Sequence, residues 1–233
     1  MANATLTYLK ERFRSDVDDI DIDPTDQSGL LWSDDDVLEY IDAAHSEFVA
    51  KAFYRRGILR LSIPADEEKV VFSDNVLDLR STKGFLETAR ATVVEINATD
   101  IISQRDDYGV TIETDPYSSL PAGTPRAFSV DLEAGYVKLF PASSIDDTME
   151  IPVFLEADEI ADWDTEPNVQ NRRHLRIIIS GMKHFAYLKH DADVFNKDEA
   201  DYWFAAFQSG ISEVYGETDR RSSRPVTMKY GGI

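Results

Sequence analysis

Trp32-Ser33-Asp34-Asp35-Asp36-Val37-Leu38-Glu39-Tyr40-Ile41-Asp42-Ala43-Ala44 begins as a helix must. Ser33 can accept from the free N–H groups of the first turn, and three aspartates there oppose the positive end of the helix dipole. From that start Val37, Tyr40, Ile41, Ala44, Phe48 and Ala52 recur at three- and four-residue spacing, so one face of the helix is apolar. The spacing predicts a helix reaching Arg55-Arg56, whose cations suit a C-terminus, with Gly57 as its stop. A helix this amphipathic needs other helices to cover its stripe, and the rest of the chain can be searched for them.

Upstream, Leu6, Leu9 and Phe13, with Tyr8 one position off, predict a short helix over 4–14. Between the two helices the run Asp16 to Asp36 holds nine aspartates and no lysine or arginine. Its first part, Asp16-Val17-Asp18-Asp19-Ile20-Asp21-Ile22-Asp23-Pro24, has no helical period and reads as an extended acidic loop. It does not match a calcium loop. With Asp19, Asp21 and Asp23 as first, third and fifth ligands, Pro24 replaces the required glycine and Leu30 the final glutamate.

Downstream of Gly57 the texture changes to short β-type runs separated by turn residues: Ile58–Ile63, Lys69–Phe72, Ala91–Ile96, Gly109–Glu113, Ala127–Asp131, Tyr136–Phe140 and Met149–Phe154. Leu132-Glu133-Ala134-Gly135 joins two of them as a hairpin loop. Helical spacing returns after Pro167. Val169, Arg173, Ile177, Ser180, His184, Tyr187 and Leu188, flanked by Ile178 and Phe185, predict a helix over 168–190. A last helix over 196–215 is predicted to turn Tyr202, Trp203, Ala206, Phe207, Ile211 and Val214 inward, with Asn196 and Glu199 spaced as a capping box and Gly216 closing it.

The expected fold is α+β: a bundle of about four helices, in N- and C-terminal pairs, with an inserted antiparallel β-sandwich-like domain and an extended C-terminal arm. The divisions fall at 1–57, 58–156, 157–216 and 217–233.

Chemistry is harder to find. The chain lacks cysteine, which removes disulfides, thiolate nucleophiles and cysteine-ligated metals, and suits a cytosolic protein. His45, His174, His184 and His190 form no metal-ligand spacing. There is no GxSxG elbow, no phosphate-cradling glycine loop and no GxGxxG. No catalytic residue, metal or cofactor is assigned, and the chain reads as a non-enzyme. No apolar run is long enough to span a membrane, and the first residues show no secretory signal. A net charge of −20 repels phosphate at long range and argues against DNA gripping.

Against that acidic body the segment after Gly216 stands out, since from Arg220 onward it carries three arginines, one lysine and no acid. It fits a solvated terminus or a docking arm. Its apolar residues favour the arm, with Arg220, Arg221, Arg224 and Lys229 meeting carboxylates and Val226, Met228, Tyr230 and Ile233 as anchors. The acidic loop and this arm are expected to lie apart, because otherwise the free subunit would neutralise its own arm.

The order of these features resembles a known family. The opening Trp32–Ala44, then Gly123-Thr124-Pro125-Arg126-Ala127-Phe128, Tyr136-Val137-Lys138-Leu139-Phe140-Pro141, the strand Glu150–Leu155 and the closing helix pair are similar to tailed-bacteriophage head-to-tail adaptor (connector) proteins. The resemblance implies a virion protein of the neck, made in the host cytoplasm. It implies a ring of about twelve copies joining the portal protein to tail or nozzle proteins and lining the channel through which DNA passes unbound. The residues after Gly216 would then contact the portal. Two other classes remain. One is a β-sandwich module binding carbohydrate or peptide, with Tyr108, Tyr117 and Phe128 as candidate contacts; the other is a hydrolase with a sheltered acid pair.

Overall fold

The computed structural model describes residues 3–19, 30–72, 75–96, 122–132, 134–189 and 195–222, with backbone alone for 220–222. The fold is α+β, with four helices and a mostly antiparallel sheet of eight strands. The chain divides into two compact units: Met1–Arg55 with Ala157–Ile233, and Arg56–Glu156.

The first unit is helical. It contains α1 (Ala4–Asp16), α2 (Asp34–Lys51), α3 (Arg172–Leu188) and α4 (Lys197–Ser222). Ser33 caps α2 in a full capping box: its hydroxyl accepts from Asp36 N–H while the Asp36 carboxylate accepts from Ser33 N–H. Leu6, Leu9 and Phe13 of α1, and Val37, Ile41, Ala44 and Phe48 of α2, are buried with Leu175, Ile178, Ile179 and Met182 of α3 in one core. Trp32 lies edge-on to Phe13 and Tyr187. Where three helices converge, a Cβ built on Gly181 would stand 2.9 Å from Ala44 Cβ and 3.0 Å from the Phe207 ring.

Three sequence expectations are corrected here. First, α2 ends at Lys51, not at Arg55-Arg56. Phe53 takes the left-handed conformation (φ 46°), and Tyr54 N–H donates to Val49 O and Phe53 N–H to Ala50 O. This hydrogen-bond pair closes a helix with a phenylalanine where glycine is the usual choice. Second, the buried stripe of α3 is Leu175, Ile178, Ile179, Met182 and Ala186, one or two positions away from the Arg173–Ile177–His184 stripe. Arg173 is exposed and pairs with Glu213 and Glu217 on α4. Those two glutamates lie on either side of Gly216, and the helix continues through the glycine to Ser222. Third, α4 packs chiefly on α3 through the narrow seam Phe207, Ile211 and Val214. Tyr202, at 64% exposure, and Ala206 therefore face outward.

The second unit holds β1 (Arg56–Ile63), β2 (Lys69–Val71), β3 (Val76–Leu79), β4 (Lys83–Leu86), β5 (Ala91–Glu95), β6 (Ala127–Asp131), β7 (Tyr136–Phe140) and β8 (Asp147–Leu155). Their order is β1-β8-β4-β5-β6-β7-β2, with β3 also on β8. The first and last strands of that path are consecutive in sequence, joined by residues 64–68. Laid flat, seven strands would hold their outer members about 29 Å apart. The five-residue link spans at most about 21 Å, so the sheet has to curl. Leu61, Val70, Leu86, Val93, Phe128, Val137 and Met149 from its successive strands fall in one buried cluster.

Buried Asp147 accepts from the N–H groups of Thr88, Ala89 and Thr148 at 2.7–2.9 Å, which fixes the β4–β5 turn. Two expectations change. β3 and β4 were not foreseen, and the β5–β6 pair is parallel, because the long connection between them can cross over as a hairpin cannot. The expected strand Gly109–Glu113 lies outside the described residues.

Candidate docking surfaces

The acidic segment between α1 and α2 is anchored by cations. Arg14, 8% exposed, donates through Nη1 to Asp19 Oδ2 at 2.6 Å, and through Nη2 to Asp34 Oδ1 at 2.8 Å and the Trp32 carbonyl at 3.0 Å. Asp19 Oδ1 in turn accepts from Leu31 N–H at 2.8 Å. Both ends of the segment therefore meet at one buried guanidinium. Lys10 adds a second cation to Asp34. Burial pushes the Asp34 carboxyl up, but its bonds to Lys10 and Arg14 outweigh this and hold it below the usual range. Further along, Lys189 pairs with Asp36 at 2.8 Å. Asp19 thus commits its carboxylate to Arg14 and the Leu31 N–H; Asp21 and Asp23 lie outside the described residues.

On another side of α1 a groove of about 470 Å³ runs between α1, α3 and the start of α4. Arg12, Arg176 and Lys183 line it together with Tyr8 and Trp203. Asp16 supplies its one carboxylate, bonded to Arg12 and Lys183 at 2.9 and 2.8 Å. The Lys183 ammonium sits 3.8 Å from the centre of the Trp203 ring. Arg172 reaches the face of Tyr8. Among the described residues no carboxylate lies within ion-pair distance of Arg172 or Arg176, both exposed. Basic residues concentrated with aromatics are unexpected on a chain of net charge −20. The signal was present in sequence as Arg172-Arg173 and Arg176, but it could not be joined to Arg12 without the helix packing.

The curled sheet has an apolar outer strip. Ile58, Phe85 and Val94 are 59%, 44% and 44% exposed. Register places Ile58 opposite Pro152 and Phe85 opposite Glu150, which salt-bridges Arg60. Phe128, a candidate ligand contact from sequence, is fully buried instead. Tyr108 and Tyr117 lie outside the described residues.

Of the expected arm residues, Arg220 and Arg221 belong to the backbone of the last turn of α4. Arg224, Val226, Met228, Lys229, Tyr230 and Ile233 lie outside the described residues, so the structure does not bring the set together. The histidines are dispersed. His45 is buried and accepts from Asn168 N–H at 3.1 Å, His174 contacts the Tyr54 hydroxyl, His184 meets the Ala200 carbonyl, and His190 is outside the described residues. Among the described residues no three His, Asp or Glu side chains gather as a metal site. No described helix is long and apolar enough to cross a membrane.

The family model described as SU10 adaptor protein matches residues 4–229, nearly the whole chain. No curated protein matches. The family match agrees with the resemblance drawn from the α2 opening, the Gly123–Phe128 and Tyr136–Pro141 stretches and the closing helices.

Proposed function

The chain belongs to the SU10 adaptor protein family, and on that footing we propose that it is a structural neck protein of a tailed phage. It forms an oligomeric ring that joins the portal vertex of the capsid to the tail and lines the DNA exit channel. The observation that carries this reading is a family match spanning both units, not a single domain shared by many unrelated proteins.

The physical features support the role. A net charge of −20 per copy gives a channel wall that DNA slides past rather than binds, with the field screened beyond about 8 Å at physiological salt. A ring closed head to tail needs two different complementary faces on each subunit. Its partners are the portal protein, a tail or nozzle protein, and further copies of itself. The portal contact is assigned to the basic end of the chain, from Arg220 and Arg221 through Arg224, Val226, Met228, Lys229 and Tyr230 to Ile233. Continuation of α4 to Ser222 gives that segment a long helical stem.

Co-sedimentation with the portal ring from the same genome tests the proposal. Wild type is compared with a chain truncated after Ser222, which leaves α4 whole, and with an Arg220→Ala/Arg221→Ala variant. Binding of wild type in fixed ratio, lost on truncation, is the expected result. Binding by all three would retain the adaptor and remove the arm as its anchor. Failure of wild type to bind the portal would refute the reading.

A further inference from the structure

We propose that the basic groove between α1, α3 and α4 is the receiving half of the contact between neighbouring copies, and that it takes the acidic, aliphatic segment Ile20–Asp26 of the adjacent subunit. The inference rests on the ring reading above and supplies one of its two complementary faces.

The groove holds three cations, Arg12, Arg176 and Lys183, against the single carboxylate of Asp16. The ring faces of Tyr8 and Trp203 lie among them. Its chemistry calls for a chain bearing carboxylates with apolar groups between them. An acidic segment from a neighbouring copy can neutralise Arg172 and Arg176 without breaking an ion pair inside the subunit, because no described carboxylate holds either. The sequence itself contains the matching piece: Ile20-Asp21-Ile22-Asp23-Pro24-Thr25-Asp26 alternates acid with isoleucine and has no cation. Nucleic acid would also suit arginines and aromatics, but a chain of net charge −20 repels it.

Helix geometry favours a neighbour over the same copy. At about 100° per residue, Tyr8, Arg12 and Asp16 follow one another at steps of about 40° and span about 80° of α1, while Lys10 and Arg14 fall on its opposite side. Asp19, Leu31, Trp32 and Asp34, which bracket the segment, are tied to that opposite side. The segment therefore leaves and re-enters its own subunit on the far side of α1 from its own groove. With both of its anchored ends on that side, the segment is assigned to the groove of the next copy in a head-to-tail array.

The chain has no cysteine, so engineered thiols are unambiguous. Ser180→Cys in the groove and Ile22→Cys in the acidic segment are mixed as separate chains, assembled on the portal ring and oxidised. The expected result is an interchain disulfide between the two variants. Adding Arg172→Glu and Arg176→Glu to the groove variant should lower its yield about five-fold or more. Normal assembly with no cross-link overturns the groove assignment and leaves the ring reading standing. A disulfide formed only when both cysteines share one chain assigns the groove to its own segment and also overturns it. Capture of a labelled DNA 20-mer by wild type, lost in Arg172→Glu/Arg176→Glu and accompanied by no cross-link, overturns it in favour of phosphate. Absence of any multimer overturns the ring and this contact together.

Discussion

Lowering the pH from 7 to 5 should weaken the helical unit by about 2 kcal/mol through one side chain, His45. His45 is fully buried in α2, and its Nε2 accepts from Asn168 N–H at 3.1 Å. That bond assigns the proton to Nδ1, which has no hydrogen-bond partner. Protonating Nε2 would both break the bond and place a charge in an apolar core. Burial is the main cause pulling the imidazole down, from 6.5 to about 4; Asp42 and Asp158 oppose it and Arg55 assists.

For a histidine whose folded pKa is depressed, the sign follows from proton uptake on unfolding. The contribution is full above the unfolded value of 6.5 and is lost as pH falls towards 4. The loss is about 2 kcal/mol by pH 5 and about 3 kcal/mol by pH 4. All three tryptophans, Trp32, Trp163 and Trp203, belong to the helical unit, so urea titrations followed by their fluorescence report that unit alone. His45→Gln retains an acceptor and cannot titrate. The difference between wild type and this variant should close by about 2 kcal/mol between pH 7 and 5. Parallel pH profiles would refute the assignment of a buried neutral imidazole.

Three further outcomes follow from packing and charge. Gly181→Ala forces a methyl against Ala44 and Phe207 at 2.9–3.0 Å; it should cost about 1–3 kcal/mol in the same urea assay despite the better helix propensity of alanine. Arg14→Met strands the buried Asp19 carboxylate and should cost about 3–5 kcal/mol, whereas Arg173→Ala, in an exposed network, should cost under about 1 kcal/mol. Asp147 is pushed up by burial, yet the N–H donors of Thr88, Ala89 and Thr148 bring its net value below the usual range. Its stabilisation is therefore present above about pH 4 and lost below it. Asp147→Asn should speed amide hydrogen exchange across β4 and β5 and remove that acid dependence.

Elements with local chemistry were legible in the sequence. Ser33 and Asp36 fix the start of α2 within one turn, and alternation marked β6 and β7 with the bounds they have. The misses came from tertiary context. Phe53 terminates α2 in a conformation sequence reasoning reserves for glycine, and its ring packs on Tyr215. Gly216 does not end α4, and the Arg173 bridge to Glu213 and Glu217 that spans it joins residues forty or more apart in sequence. β3 and β4 are four residues each, too short for alternation to register. The clamp at Arg14 joins α1 to the start of α2 and the groove at Arg12 and Arg176 joins three helices, so neither set of charges could be assembled from spacing along the chain. The acidic segment itself was plain. Its cationic anchor was not.

The most direct test of the neck assignment is to image the portal ring after incubation with this protein and count the added copies. The account predicts a continuous, rotationally symmetric ring of the chain, coaxial with the portal and open at its centre for DNA. Portal rings that remain bare, or that carry isolated copies with no contact between them, would contradict it.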